Sequence, residues 1–283
     1  MLKIATIDPL IRQALKEDVG GKDITTSSII PKDKLTKADI VFKEKGVLCG
    51  IEIAERVFRL VDERCCFLPV AKDGEMVEPG REVAYLEGHA ASILVAERTA
   101  LNFLSHLSGI ATMTRHFVKK VSGAQAKIMD TRKTLPGLRA LQKYAVACGG
   151  GVNHRMGLFD QVLIKDNHLR ILRHEGIVRL VDEAKRSVLK KTVIGIEIKN
   201  LEELKEALKS KADYILLDNM TTAQVREAVN LRKRLGLSTA FEVSGGINLE
   251  NVSDYAQIGI ERISIGRLTH AAPSIDLSLE IVA

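Results

Sequence analysis

The sequence predicts an α/β protein in two parts, a small α+β region followed by a unit of parallel strands joined by crossover helices. Three observations carry this. Short β-rich pieces broken by glycine run from "ADIVFKEKGVLCG" to "MVEPGREVAYLEGHA", one helical period holds from residue 91 to 121, and six apolar runs then alternate with helical patterns. Alternation of that kind favours parallel strands with helical crossovers, and unbroken Val/Ile/Leu character fits strands buried on both faces.

Taken in order, residues 8 to 18 place Leu10, Ile11, Ala14 and Leu15 at helical spacing, and the polar turn "EDVGGKDITT" ends that first amphipathic helix. Gly46, Gly50, Gly74, Pro79-Gly80 and Gly88 punctuate the β-rich pieces, with a helical "IEIAERVFRLVD" between them. The long helical stretch has Gly109 as its weak point and is suited to carry the chain from one domain into the next. The six later runs are "AKIMD", "QVLIKD", "TVIGIEI", "DYILLD", "TAFEVSGG" and "RISIG". Almost every one ends in chemistry: Asp130 to Lys133, Lys165 to Asn167, Glu197, Asp218 and Asn219, Ser244 to Gly246, and Gly266. Active sites of parallel barrels lie at the C-terminal ends of the strands, so these groups are expected on one rim.

Composition narrows the function classes. A chain of 283 residues with 46% hydrophobic content can bury a large core, and a net charge of +6 favours anionic partners without implying nucleic acid. Aromatics at 4% and the lack of Trp leave few base-stacking platforms. Cys49, Cys65, Cys66 and Cys148 show no CxxC spacing and read as reduced thiols in a cytoplasmic protein. His89, His106, His116, His168 and His174 have no zinc-ligand spacing with them, and no GxSxG elbow is present. The N-terminal stretch is interrupted by Asp8, Arg12 and Lys16 to Asp18, and no run approaches membrane-spanning length, so neither secretion nor membrane insertion is expected.

Several constellations have both an ordinary and a functional reading. "DTRKTLPGLR" fits a solvated polar loop as well as an anion site, although Arg132 offers a forked guanidinium and Lys133 a compact ammonium. "ACGGGVNHRMGLFD" sets three glycines before His154 and Arg155, where packing seldom explains an adjacent pair of that kind. Glu197 and Asp218 close apolar runs; they belong either to salt bridges or to a rim where they take ribose hydroxyls or hold Mg²⁺ through water. Ser244, Gly245 and Gly246, and Ile265, Gly266 and Arg267, follow the last two strands, a place where many barrels bind phosphate. Arg98 in "AERTALNFL" reads by itself as a helix-surface cation.

The strings "DTRKTLPGLRALQKYAVACGGGVNHRMGLFD" and "LIKDNH" resemble the quinolinate phosphoribosyltransferases, and the resemblance continues through "EDVGGKDITT", "ERTALNFLSHLSGIAT", "NLEEL", "ILLDN", "VSGGI" and "ISIGRLTHAAPSIDLSL". It covers essentially the whole chain. It implies an N-terminal α/β sandwich domain over residues 1–110, an incomplete parallel α/β barrel over 111–270, and a tail over 271–283 that packs back on the first domain. It implies a homodimer, alone or assembled further, with active sites completed across the interface and Arg98 contributed from the partner subunit. By position, Arg132, His154 and Arg155 match residues around the quinolinate carboxylates, Thr131 beside them is a further substrate-binding position, and Lys133 and Lys165 match lysines near the substrate and the pyrophosphate. Glu197 and Asp218 match acidic residues at the ribose and Mg²⁺, the implied cofactor. The Ser244–Gly246 and Ile265–Arg267 segments match 5′-phosphate loops, with His270 in the matching "LTH" segment.

The implied activity transfers phosphoribosyl from 5-phosphoribosyl 1-pyrophosphate to quinolinate with decarboxylation, and the implied catalytic groups are Lys133, Lys165, Glu197 and Asp218. The chain departs from the family pattern at Gly195 and Lys199, where further carboxylates are common, and at Arg267, where a small residue is common. Two other readings predict different behaviour. The paralogous ModD proteins share much of the pattern, and a non-catalytic anion-binding regulator would take the same ligands without releasing pyrophosphate or CO₂.

Overall fold

The computed structural model describes residues 4–172 and 175–282; His174, weighed above, lies outside the described residues. From the N-terminus the elements are α1 (Asp8–Val19), α2 (Ile24–Ile29), β1 (Leu35–Phe42), β2 (Gly46–Val47), α3 (Ile51–Val61), β3 (Cys66–Pro69), β4 (Met76–Val77), β5 (Glu82–His89) and α4 (Ala90–Lys120). Then follow β6 (Lys127–Met129), α5 (Arg139–Cys148), β7 (Val162–Ile164), α6 (Asp166–Ile171), α7 (Ile177–Ser187), β8 (Ile194–Ile198) and α8 (Leu201–Ala207). The chain closes with β9 (Tyr214–Asp218), α9 (Thr222–Arg234), β10 (Ala240–Ser244), α10 (Val252–Ala256), β11 (Arg262–Ser264), α11 (Arg267–His270) and β12 (Leu277–Val282).

Packing groups Met1–Arg115, Ala140–Gly150 and Ala271–Ala283 into one unit, and His116–Arg139 with Gly151–His270 into a second. The boundary falls inside α4, the long helix expected to link two domains. A linear division at 110 and 270 differs from this in two respects: the long helix is divided after Arg115 rather than at 110, and one later segment changes side. Residues 140–150, nearly all of α5, pack with the first unit, because the buried face of α5 includes Leu141, Ala145 and Val146 and its neighbours there include His106 of α4 and Asp73.

The first unit is an α/β sandwich built on an antiparallel sheet of order β12-β1-β5-β3, with α3 contributing Ile53, Ala54, Val57 and Phe58 to its core. The C-terminal strand β12 runs along β1 from Lys37↔Val282 to Phe42↔Leu277. Gly109 does not weaken α4: a Cβ there would lie 1.9 Å from the Pro273 carbonyl oxygen, so the glycine admits the returning chain against the helix.

The second unit carries a parallel sheet of order β6-β11-β10-β9-β8-β7 among the described residues, which is an incomplete α/β barrel. Its β6 edge is extended by a single parallel bridge, Met129↔Val152, and β7 forms the other edge. Burial on both strand faces is plain in β8, where all five residues are buried. Side chains alternate between faces, so the register sets Leu163, Glu197, Leu216, Asp218, Glu242, Ser244 and Ser264 on one side of the sheet and the remaining Val/Ile/Leu positions against the helices. Capping is local and legible: Asn200 accepts the Glu203 N–H at 2.9 Å, and Thr221 with Gln224 forms a capping box on α9.

Candidate active site

Two adjoining cavities open at the C-terminal ends of the strands in the second unit. The larger, about 440 Å³, is walled by Arg132, Lys133, His154, Arg155, Lys165, Glu197 and Asp218, with Thr131 at its edge. The smaller, about 180 Å³, is walled by Ser244, Gly245, Gly246, Ile265, Gly266, Arg267 and His270. Lys133, Ser244 and Ser264 line both, so the two form one continuous site. A volume of this size suits a small ligand held by a few convergent polar groups.

Most of the charged groups reach the rim from a strand end, and Arg155 reaches it from the irregular segment after the Val152 bridge. Lys165 follows β7 and its ammonium donates to Glu197 Oε2 at 2.7 Å, with the carboxylate buried. Asp218 closes β9; burial raises its carboxyl above the ordinary value, and the Glu197 charge adds to the rise. Arg155 is buried, which lowers its guanidinium, and the nearby Arg132 charge lowers it further. Two like-charged guanidiniums held together in a shielded place are costly unless an anion arrives between them. Arg132 Nε points the same way, since it is shielded from solvent and has no hydrogen-bond partner among the described residues.

Glycine conformations shape the smaller cavity. Gly245 has φ +95°, and a Cβ there would sit 2.1 Å from Asn219 Oδ1, so a side chain is excluded both by backbone and by space. Asn219 itself has φ 55°, and its N–H donates to the Ser244 carbonyl at 2.8 Å, which ties the β9 and β10 loops together. At Gly266 a Cβ would lie 2.9 Å from Lys133 Cδ, so the stem of Lys133 runs directly over the glycine. Thr131 Oγ1 accepts the Lys133 N–H at 3.0 Å, and the Thr269 hydroxyl donates to the Lys133 carbonyl at 2.6 Å, fixing that lysine's backbone from both sides.

Of the residues expected at the site, only Arg98 is absent from both cavities. It is exposed on α4 in the first unit and lines a separate recess with Asn102, Ser105 and Ser274–Leu277. The departures from the family pattern acquire reasons. Gly195 leaves space for Tyr214, whose ring would come within 2.1 Å of a Cβ, and Lys199 donates to Asp166 at 2.6 Å. Arg267 is exposed at the mouth of the smaller cavity. Sequence reasoning passed over Glu242 and Tyr214, which stand beneath the rim. The available signal was a lone carboxylate inside the apolar run "AFEVS".

A parallel α/β barrel whose strand ends gather cations, a carboxylate pair and two glycine-led loops defines an enzyme-like binding site for multiply charged anions. The quinolinate phosphoribosyl transferase N-terminal domain matches residues 23–108 and its C-terminal domain residues 110–280, so the chain belongs to the quinolinate phosphoribosyl transferase family. A probable carboxylating nicotinate-nucleotide pyrophosphorylase of Methanocaldococcus jannaschii is 44% identical over 279 residues, covering 96% of each chain. The carboxylating nicotinate-nucleotide pyrophosphorylase of Mycobacterium leprae is 41% identical over 276 residues, covering 96% of this chain and 95% of that one. The solved nicotinate-nucleotide pyrophosphorylase of Francisella tularensis superposes with a TM-score of 0.93 at 39% identity, over 100% of this chain and 98% of that one.

Proposed function

We propose that this protein is a carboxylating nicotinate-nucleotide pyrophosphorylase of NAD biosynthesis: it transfers phosphoribosyl from 5-phosphoribosyl 1-pyrophosphate to quinolinate and yields nicotinate mononucleotide, pyrophosphate and CO₂. The observation that carries the reading is the continuity of the two cavities through Lys133, Ser244 and Ser264. One ligand with a phosphate at each end spans them, its 5′-phosphate on the Gly245, Gly246 and Gly266 backbone with Arg267 and His270 at the mouth, and its pyrophosphate toward Lys133 and Lys165. Quinolinate, a dianion, takes the guanidiniums of Arg132 and Arg155 beside Thr131 and His154. The unpartnered Arg132 Nε supports that placement, because a carboxylate supplies the acceptor it lacks.

The chemistry is positional and electrostatic. The pyridine nitrogen gives its lone pair to C1′ as the bond from C1′ to the pyrophosphate oxygen breaks, and the bonding pair leaves with pyrophosphate. Lys133 and Lys165 neutralise the departing charge, while Glu197 and Asp218 hold the ribose and face the positive charge that develops on it. The alkylated ring is cationic, so the bond to the adjacent carboxylate breaks with its electrons retained by the ring carbon, which then takes a proton, and CO₂ departs. The carboxylates suit a divalent cation: the rise at Asp218 comes from burial and the Glu197 charge, and a cation relieves both. Glu197 and Asp218 would hold Mg²⁺ through water, where it supplies charge neutralisation to the pyrophosphate.

A homodimer completes the site with Arg98 of the partner subunit. Support comes from the large exposure of Leu158 and Phe159, 74% and 83%, on the loop that follows Arg155. The cytoplasm is the fitting compartment, given four free cysteines and, among the described residues, no helix long and apolar enough to cross a membrane. The deciding assay supplies quinolinate, phosphoribosyl pyrophosphate and Mg²⁺, with nicotinate as competing acceptor. Equal yields of nicotinate mononucleotide and CO₂ are expected; turnover of nicotinate alone would replace this reading with a different phosphoribosyltransferase, and binding without turnover would indicate a regulator.

A further inference from the structure

Glu242 stands in the middle of β10 with no solvent exposure, and neither carboxylate oxygen has an aligned hydrogen-bond donor among the described residues. A buried carboxylate in that state is expensive and calls for a compensating role. It lies beneath the larger cavity and contributes to its lining. Two groups approach it at ion-pair range: His154 Nε2 is 3.3 Å from Oε1, and an Arg262 guanidinium nitrogen is 3.9 Å from Oε2.

The other nitrogen of His154 is occupied. Nδ1 accepts the Arg155 backbone N–H at 2.7 Å, which assigns the ring proton to Nε2. Nε2 faces Glu242 and the Tyr214 hydroxyl, the latter also at 3.3 Å. Gln161 closes the circuit, donating its amide to the Tyr214 hydroxyl at 2.7 Å while its backbone carbonyl accepts from the Arg155 guanidinium at 3.3 Å. Asp130 anchors the segment by accepting the His154 N–H at 2.9 Å. Both the backbone and the guanidinium of Arg155 are therefore set by one network that holds two fully buried carboxylates, Asp130 on the His154 backbone and Glu242 facing the His154 ring.

We propose that Glu242 is a positioning residue for the acceptor substrate: its carboxylate holds His154 as the Nε2–H tautomer and thereby fixes the pose in which Arg155 meets the pyridine dicarboxylate. This rests on the reading of Arg155 as a quinolinate ligand. In Glu242→Gln the amide can present an N–H to Nε2, which moves the ring proton to Nδ1 and sets it against the Arg155 N–H. A wrong tautomer in an intact frame is disabling when a carboxylate has this task.

Histidine-labelled protein tests this by nitrogen NMR alongside steady-state kinetics. The wild-type His154 ring should carry its proton on Nε2, whereas Glu242→Gln should shift it or turn the ring, raise the quinolinate KM at least about tenfold and leave the phosphoribosyl pyrophosphate KM within about twofold. Glu242→Asp, which keeps the charge, should retain the wild-type tautomer and recover part of the quinolinate KM. A wild-type ring protonated on Nδ1 overturns the proposal without any variant, as does a folded Glu242→Gln protein with an unchanged quinolinate KM or an Asp variant as impaired as the Gln one. Arg155→Ala separates the two levels. If that variant leaves the quinolinate KM unchanged, the dicarboxylate reading itself fails; if it responds and Glu242→Gln does not, only the role of Glu242 fails.

Discussion

At the scale of single residues, Arg132 is poised for a ligand by what surrounds it. Its shielded, unpartnered Nε and its charge opposition to Arg155 are relieved together when a carboxylate binds. Arg132→Ala should therefore cost about 2–5 kcal/mol in quinolinate binding, read as a fall of roughly thirtyfold or more in kcat/KM. Arg132→Lys should also fall at least about tenfold, because an ammonium cannot reproduce the fork. Asp62, in the first unit, shows the opposite regime. Hydrogen bonds from Arg64 hold its carboxyl well below the usual range despite burial, with Ser92 donating at 3.0 Å. A depressed carboxyl contributes stability that is present above about pH 4 and is lost as pH falls through its folded value. Asp62→Asn should destabilise the protein by about 1–2 kcal/mol at pH 7, and the gap to wild type in denaturant unfolding should narrow below about pH 4.

Elements place these groups, and glycine decides how closely they approach. Gly195 on β8 and Tyr214 on β9 are register partners, and the missing Cβ is what lets the Tyr214 ring lie inside the barrel. Gly195→Ala should cost about 1–3 kcal/mol by overpacking, seen as a lower unfolding midpoint, and should loosen the Tyr214 contact with His154. The β10 loop is more exacting still. Gly245→Ala faces both a left-handed backbone and the Asn219 side chain, so the phosphoribosyl pyrophosphate KM should rise about tenfold or more while that for quinolinate moves less. Asp73 illustrates an element-level contact invisible to spacing. It accepts the Gly50 and Ile51 N–H groups at the start of α3 and the Tyr144 hydroxyl of α5, and its carboxylate lies within 4.8 Å of the Cys49 and Cys148 sulfurs.

For the whole molecule, local charge outweighs net charge. The chain is only +6, yet Arg132, Lys133, Arg155 and Lys165 converge on one cavity. Focusing of that kind draws polyanions without a general affinity for nucleic acid. The role given to Arg98 belongs at this scale, since it is exposed in the first unit, outside both cavities. Mixing Arg98→Ala chains with Lys165→Ala chains should restore activity to about a quarter of wild type if subunits exchange at random and each dimer holds two shared sites. No recovery, with exchange proven by mass, would assign Arg98 to its own chain's surface.

The sequence by itself determined the alternation of strand and helix, the long link through α4, and the C-terminal strand positions at which charged residues gather. Those follow from local rules: apolar period, caps and the strand-end logic of parallel barrels. It also held Arg132, Lys133, Lys165, Glu197 and Asp218 as candidates, because a charge closing an apolar run is conspicuous along the chain. Tertiary structure alone decided that α5 packs with the first unit, that Gly195 exists for Tyr214, and that Glu242 lies under His154. Each of these depends on register and close approach between segments tens of residues apart. A one-dimensional pattern records which face a side chain occupies, but the neighbour across the sheet is fixed only when the strands pair.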